Sequence, residues 1–131
     1  MKDSSACFIG EVVVSPIAET QPQQWIVRQD LVVRIYGSEL VVPSGFICDF
    51  ASVPRLLKPL FPDKAINSTA SVVHDYLYST GLSSKWMADA VFYELLKCAH
   101  CAWITRISMW LGVALFGFVA WRKHRKQDLK S

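Results

Sequence analysis

The chain has 131 residues, of which 52% are hydrophobic and 19% charged. That is enough for one domain of ordinary size, and too little for a complete dinucleotide-binding fold or an eight-unit βα barrel. High apolar content with a net charge of only +3 also argues against a disordered chain.

The first half reads as strands. Val12-Val13-Val14 is a β-branched run stopped by Ser15-Pro16. Trp25–Val27 and Leu31–Tyr36 follow, with Gly37-Ser38 as a turn and Leu40–Val42 as the return strand. Pro43-Ser44-Gly45 breaks that run before Phe46-Ile47. The spacing predicts one small antiparallel sheet over about residues 8–50.

The second half reads as three helices over about residues 66–121, which makes the domain (1–121) α+β. The first is capped by Ser68 or Thr69, runs to about Ser79 and is closed by Gly81. The second is capped by Ser83 or Ser84 and runs to about Ala99. The third spans about Trp103 to Arg125. Its stretch Ile107–Trp121 is 15 residues without a charge. At 1.5 Å per residue that covers roughly 22 Å, against about 30 Å for a bilayer core. Such a helix is apolar nearly all round and needs cover from protein or from lipid.

Charge is concentrated at one end. Residues 122–131 hold five Lys/Arg and one Asp, a net of +4, and the remainder of the chain nets −1 (nine basic, ten acidic). No basic face is visible on the folded part, so nucleic acid is not an expected partner. A basic tail beside an apolar helix suits anionic lipid or a cytosolic flank, so the expected partner of the 103–125 helix and tail is a membrane or another protein.

Cysteines stand at 7, 48, 98 and 101. The polar start, Met1–Ala6, does not read as a cleavable leader, so disulfides are not expected. Cys98-Ala-His-Cys101 has the spacing of half a zinc site or a redox pair but lacks a second half, and structural cysteines are the simpler reading.

Polar residues that interrupt apolar surroundings mark a candidate site. They are Asp49, between Cys48 and Phe50; His74-Asp75 and Tyr78 in the first helix; and Asp89 in the second. His74 and Tyr78 are four apart and share a helix face, while Asp75 is turned about 100° away. The short link from Ser79 to Ser84 forces the two helices antiparallel, which can set Asp89 against His74. A carboxylate on one imidazole nitrogen fixes the tautomer, so the other nitrogen can take a proton from water. Asp75, with Asp49, is a hard oxygen donor suited to calcium; Asp49, His74 and Asp89 or Asp75 could instead surround zinc. The same residues can equally form a buried hydrogen-bond network with no turnover.

In these stretches the chain resembles the domain-of-unknown-function family 1353 of phages and prophages. The carrying motifs are Gly45-Phe46-Ile47-Cys48-Asp49-Phe50-Ala51-Ser52-Val53-Pro54-Arg55, His74-Asp75-Tyr76-Leu77-Tyr78, Ala88-Asp89-Ala90-Val91-Phe92, and Met109-Trp110 with Phe116-Gly117 and Trp121. The likeness covers about residues 8–121, with Cys48 where relatives commonly have Thr. A second likeness, over about 20 residues, is to the helix pair of prokaryotic secreted-type phospholipases. It implies His74 as general base, Asp89 as its orienting carboxylate, Tyr78 in support and Asp75 on calcium.

Two functions follow as expectations. One is a phage-encoded hydrolase acting on an ester or amide of an envelope component, with His74, Asp89 and Tyr78 catalytic and Asp75 and Asp49 on a divalent cation. The other is a non-enzymatic virion or host-interaction protein in which the network is structural. Either would work in the host cytoplasm, at a membrane or in the virion. An active site requires His74 and Asp89 on the floor of an open cleft; a structural knot is sealed.

Overall fold

The computed structural model describes residues 7–10, 12–19, 24–35, 37–48, 69–98 and 102–130. The chain divides into two compact units, 1–49 and 50–131, with the strands in the first and the helices in the second. The architecture is the expected α+β.

Among its described residues the first unit holds two three-stranded antiparallel sheets, where a single sheet was expected. One has the order β1 (Cys7–Ile9), β4 (Leu31–Ile35), β5 (Ser38–Val42); the other β2 (Val14–Ile17), β3 (Gln24–Val27), β6 (Ile47–Cys48). The β4–β5 hairpin forms as the sequence predicts, with Gly37 in its turn at φ 77°, but Ile35 pairs with Ser38, so Ser38 opens β5 instead of belonging to the turn. Along β4, Leu31, Val33 and Ile35 are buried and Arg34 is exposed, the alternation of a strand with one covered face. Strand β2 departs from expectation by running through Ser15-Pro16. Pro16 is exposed on an edge strand, where a missing N–H removes no interior ladder bond.

The second unit contains four helices among its described residues, one more than expected. Helix α1 (Thr69–Thr80) ends where predicted: Gly81 takes φ 68° and its N–H donates to the Leu77 carbonyl at 3.0 Å. Helix α2 (Lys85–Cys98) begins at the Ser84 cap, whose Oγ accepts the Met87 N–H at 3.1 Å. Ala88, Phe92, Leu95 and Leu96 line its buried face at helical spacing and join Val72, Val73 and Leu77 of α1 in the core. Cys98 is disulfide-bonded, against the expectation of no disulfide, with its partner's side chain outside the described residues, whereas Cys48 is free and buried as expected.

The expected single helix over 103–125 is two helices, α3 (Trp103–Phe116) and α4 (Phe118–Lys130), bent by 48°. The bend sits at Gly117, where a Cβ would collide with the Tyr78 hydroxyl and the Val113 carbonyl oxygen. Absence of a side chain there lets α1 approach the joint closely. The basic run 122–130 continues α4 as helix. No single described helix is long and apolar enough to cross a membrane; the bent pair passes that test only when its two parts are taken together.

Candidate functional site

The site is built by two pairs at i, i+4 spacing on neighbouring antiparallel helices: His74 and Tyr78 on α1, Lys85 and Asp89 on α2. All four are buried, with His74 and Asp89 each 1% exposed. The Asp89 carboxylate is the hub. His74 Nε2 lies 2.7 Å from Oδ1, the Tyr78 hydroxyl donates to the same oxygen at 2.8 Å, and the Lys85 ammonium donates to Oδ2 at 2.7 Å. An ionised carboxylate only accepts, so the His74 proton sits on Nε2.

The electrostatics are consistent with that assignment. Burial lowers the His74 pKa below its usual 6.5, outweighing the hydrogen bond and charge of Asp89, which act upward; the Lys85 charge adds to the lowering. Burial pushes the Asp89 carboxyl up, yet donation from His74, Lys85 and Tyr78 outweighs it and holds the group below 3.8. Burial, then the Asp89 charge, drives the Tyr78 phenol far above 10.0. Near neutral pH the cluster therefore holds one carboxylate, one ammonium, a neutral imidazole and a neutral phenol. Its formal charge sums to zero, which is how a buried ionic group avoids a large desolvation penalty.

Lys85 ties the cluster to the helix joint. Its ammonium also donates to the Ala114 carbonyl at 3.1 Å and approaches that of Val113 at 3.4 Å, both in the last turn of α3. It lies 4.3 Å from the Phe118 ring centroid at the start of α4. A cation on the final carbonyls of a helix complements its dipole. Arg125 of α4 does the same for α1, donating to the Tyr78 and Ser79 carbonyls at 2.9 and 3.1 Å. Aromatic packing closes the site: the His74 ring is 4.2 Å from that of Tyr78 and 4.8 Å from that of Phe92, and Tyr78 meets Trp121 edge-on at 5.3 Å.

Of the residues expected at the site, His74, Tyr78 and Asp89 come together. Asp75 is buried as well, at 3%, one residue round the helix from His74. Asp49 lies outside the described residues. Lys85 and Arg125 were not foreseen as members; a lysine four residues before a buried aspartate was the signal available for the first.

The arrangement can hold helices together and keep an imidazole neutral. It fits poorly with a metal on His74 and Asp89, because Nε2 already faces Oδ1 and an ammonium occupies Oδ2, which would repel a cation. Among the described residues no group of three or more His, Cys, Asp or Glu side chains could hold a metal ion.

No curated protein and no solved structure matches the chain. The family described as "Protein of unknown function (DUF1353)" matches residues 25–113, a stretch that takes in β3 to β6 and α1, α2 and most of α3, with all four residues of the buried cluster, and the chain belongs to that family.

Proposed function

We propose that this chain is a non-enzymatic interaction protein, in which the His74–Tyr78–Lys85–Asp89 cluster is an internal strut and the outward side of α3 and α4 is the working surface. One observation carries the reading. Both oxygens of Asp89 are taken by donors from α1 and α2, and one of those donors also grips the end of α3. The cluster is thereby committed to fixing three helices, and at 1% exposure its imidazole and carboxylate are sealed from substrate-sized molecules. A host-interaction role fits the phage setting that the sequence resemblance implies.

A hydrolase is the second reading, favoured by the 2.7 Å contact that fixes the imidazole tautomer. In it His74 would be the base, Asp89 and Tyr78 its support, and Asp75 with Asp49 the ligands of calcium or another divalent cation.

Two measurements on the full chain separate these readings. On the first, calcium, zinc and chelator leave the melting temperature unchanged, because a ion bound only by the folded state must raise it. Hydrolysis of a short-chain nitrophenyl ester and of dispersed phospholipid stays at the blank rate. Turnover that His74→Asn abolishes in a protein still folded by circular dichroism would overturn the strut reading in favour of the hydrolase.

A further inference from the structure

Helix α3 is apolar on the side that faces outward. Its covered side carries Met109 and Val113 at 0% exposure. On the opposite side Ile104, Ile107, Leu111 and Leu115 recur at steps of three and four residues, with exposures of 58, 36, 43 and 64%. That spacing makes a continuous stripe along one face. Trp103, 64% exposed, stands at its start. Past the bend the character changes within one turn: Val119 is 78% exposed, and Arg122, Lys123 and Lys126 share its face at the same helical spacing, all exposed.

We infer that this surface docks the helical unit on an anionic lipid bilayer, with the α3 stripe set into the headgroup–acyl boundary and the α4 face on lipid phosphates. The inference rests on the reading of α3 and α4 as the working surface, and names its partner. Charge complementarity selects the occupant. A protein partner for the stripe alone would not require the basic face that adjoins it, whereas a bilayer presents apolar and anionic layers in that order within a few ångströms. Length sets the mode of contact. Helix α3 has 14 residues, about 21 Å at 1.5 Å each, short of the roughly 30 Å hydrocarbon layer. The 48° bend further turns the basic helix off the α3 axis. The pair therefore lies in the interface instead of spanning it. Trp103 at one end supplies the amphipathic ring that favours that depth.

The test is co-sedimentation of the full chain with phosphatidylcholine vesicles, with and without phosphatidylglycerol. Binding to the anionic vesicles, weakened by salt and much reduced on the neutral ones, is the expected result. Replacing Arg122, Lys123 and Lys126 together by Gln lowers partitioning about 100-fold, from about fivefold per basic residue near an anionic surface. The Leu111→Gln, Leu115→Gln double variant loses binding to both vesicles by tenfold or more. All five side chains are exposed, so an unchanged melting temperature identifies a surface effect. No vesicle binding, or binding indifferent to the charge variant, overturns the inference. An oligomer in solution that the leucine variant dissociates, without lipid binding, overturns it in favour of a second copy. None of these outcomes depends on esterase turnover or metal-dependent melting, so the lipid inference and the strut reading can fail separately.

Discussion

At the scale of single residues, the central object is one carboxylate. Asp89 meets an imidazole, a phenol and an ammonium inside a core where it is 1% exposed. Removing one member of a buried ion pair leaves the other charge without compensation, at a cost of about 3–5 kcal/mol. Asp89→Ala is therefore expected to lower stability in urea by that amount, with Lys85 the stranded charge. Lys85→Met keeps the stem and removes the ammonium. Because the Lys85 charge acts to lower the His74 pKa, NMR titration of Lys85→Met should show that pKa moving up from its value in the parent protein. A fall or no change would mean that Lys85 does not act electrostatically on the imidazole. His74, Tyr78 and Asp89 were legible in the sequence because each is a polar side chain set among apolar neighbours at helical spacing. Lys85 was not, since a lysine in a first helical turn usually lies in solvent, and nothing local tells that it reaches the carbonyls of Val113 and Ala114.

At the scale of elements, the joint between α3 and α4 is where sequence periodicity misled. Residues 103–125 read as one helix because no proline interrupts them, and each of the two glycines there, Gly112 and Gly117, is tolerated inside a helix at about 1 kcal/mol. The bend arises from what packs there: Tyr78 lies against Gly117, and Lys85 takes the last carbonyls of α3. Gly117→Ala provides a test by its sign. Helix propensity alone would make it stabilising by about 1 kcal/mol. Overpacking against Tyr78 should make it destabilising by about 1–3 kcal/mol instead, read from the urea midpoint. Gly81 differs in kind, because its φ of 68° strains any residue with a side chain, and one added there would also displace the Arg125 guanidinium. Its role as the stop of α1 was readable from the sequence, as was the Ser84 cap of α2.

At the scale of the whole molecule, stability should carry the signature of the buried cluster in its pH dependence. His74 titrates near 6.5 when unfolded and lower when folded, so below pH 6.5 the unfolded state binds the extra proton. Stability is therefore lost as pH falls from 6.5 toward the folded value. Asp89 adds a second loss, which sets in below 3.8 as the pH approaches its depressed folded pKa. Above pH 10.0 the Tyr78 phenol ionises only in the unfolded state, which again favours unfolding. A melting temperature that is flat from pH 7 to 9, declines below 6.5 and declines above 10 is the expected profile. In His74→Gln the decline between pH 6.5 and 4 should be shallower. An identical slope in parent and variant would remove the histidine from the account.

Much of this protein could be read without coordinates: the α+β class, the β4–β5 hairpin, the ends of α1 and α2, and the apposition of His74 with Asp89. These depend on local rules (alternation, capping, four-residue spacing and a tight link) that act between residues close in the chain. The tertiary structure alone decided the split into two sheets, the bend at Gly117, the recruitment of Lys85 and Arg125, and the disulfide at Cys98. The bend at Gly117 and the reach of Lys85 and Arg125 depend on groups far apart in sequence meeting in a packed interior, where the identity of the neighbour, and not the pattern along the chain, sets the energy.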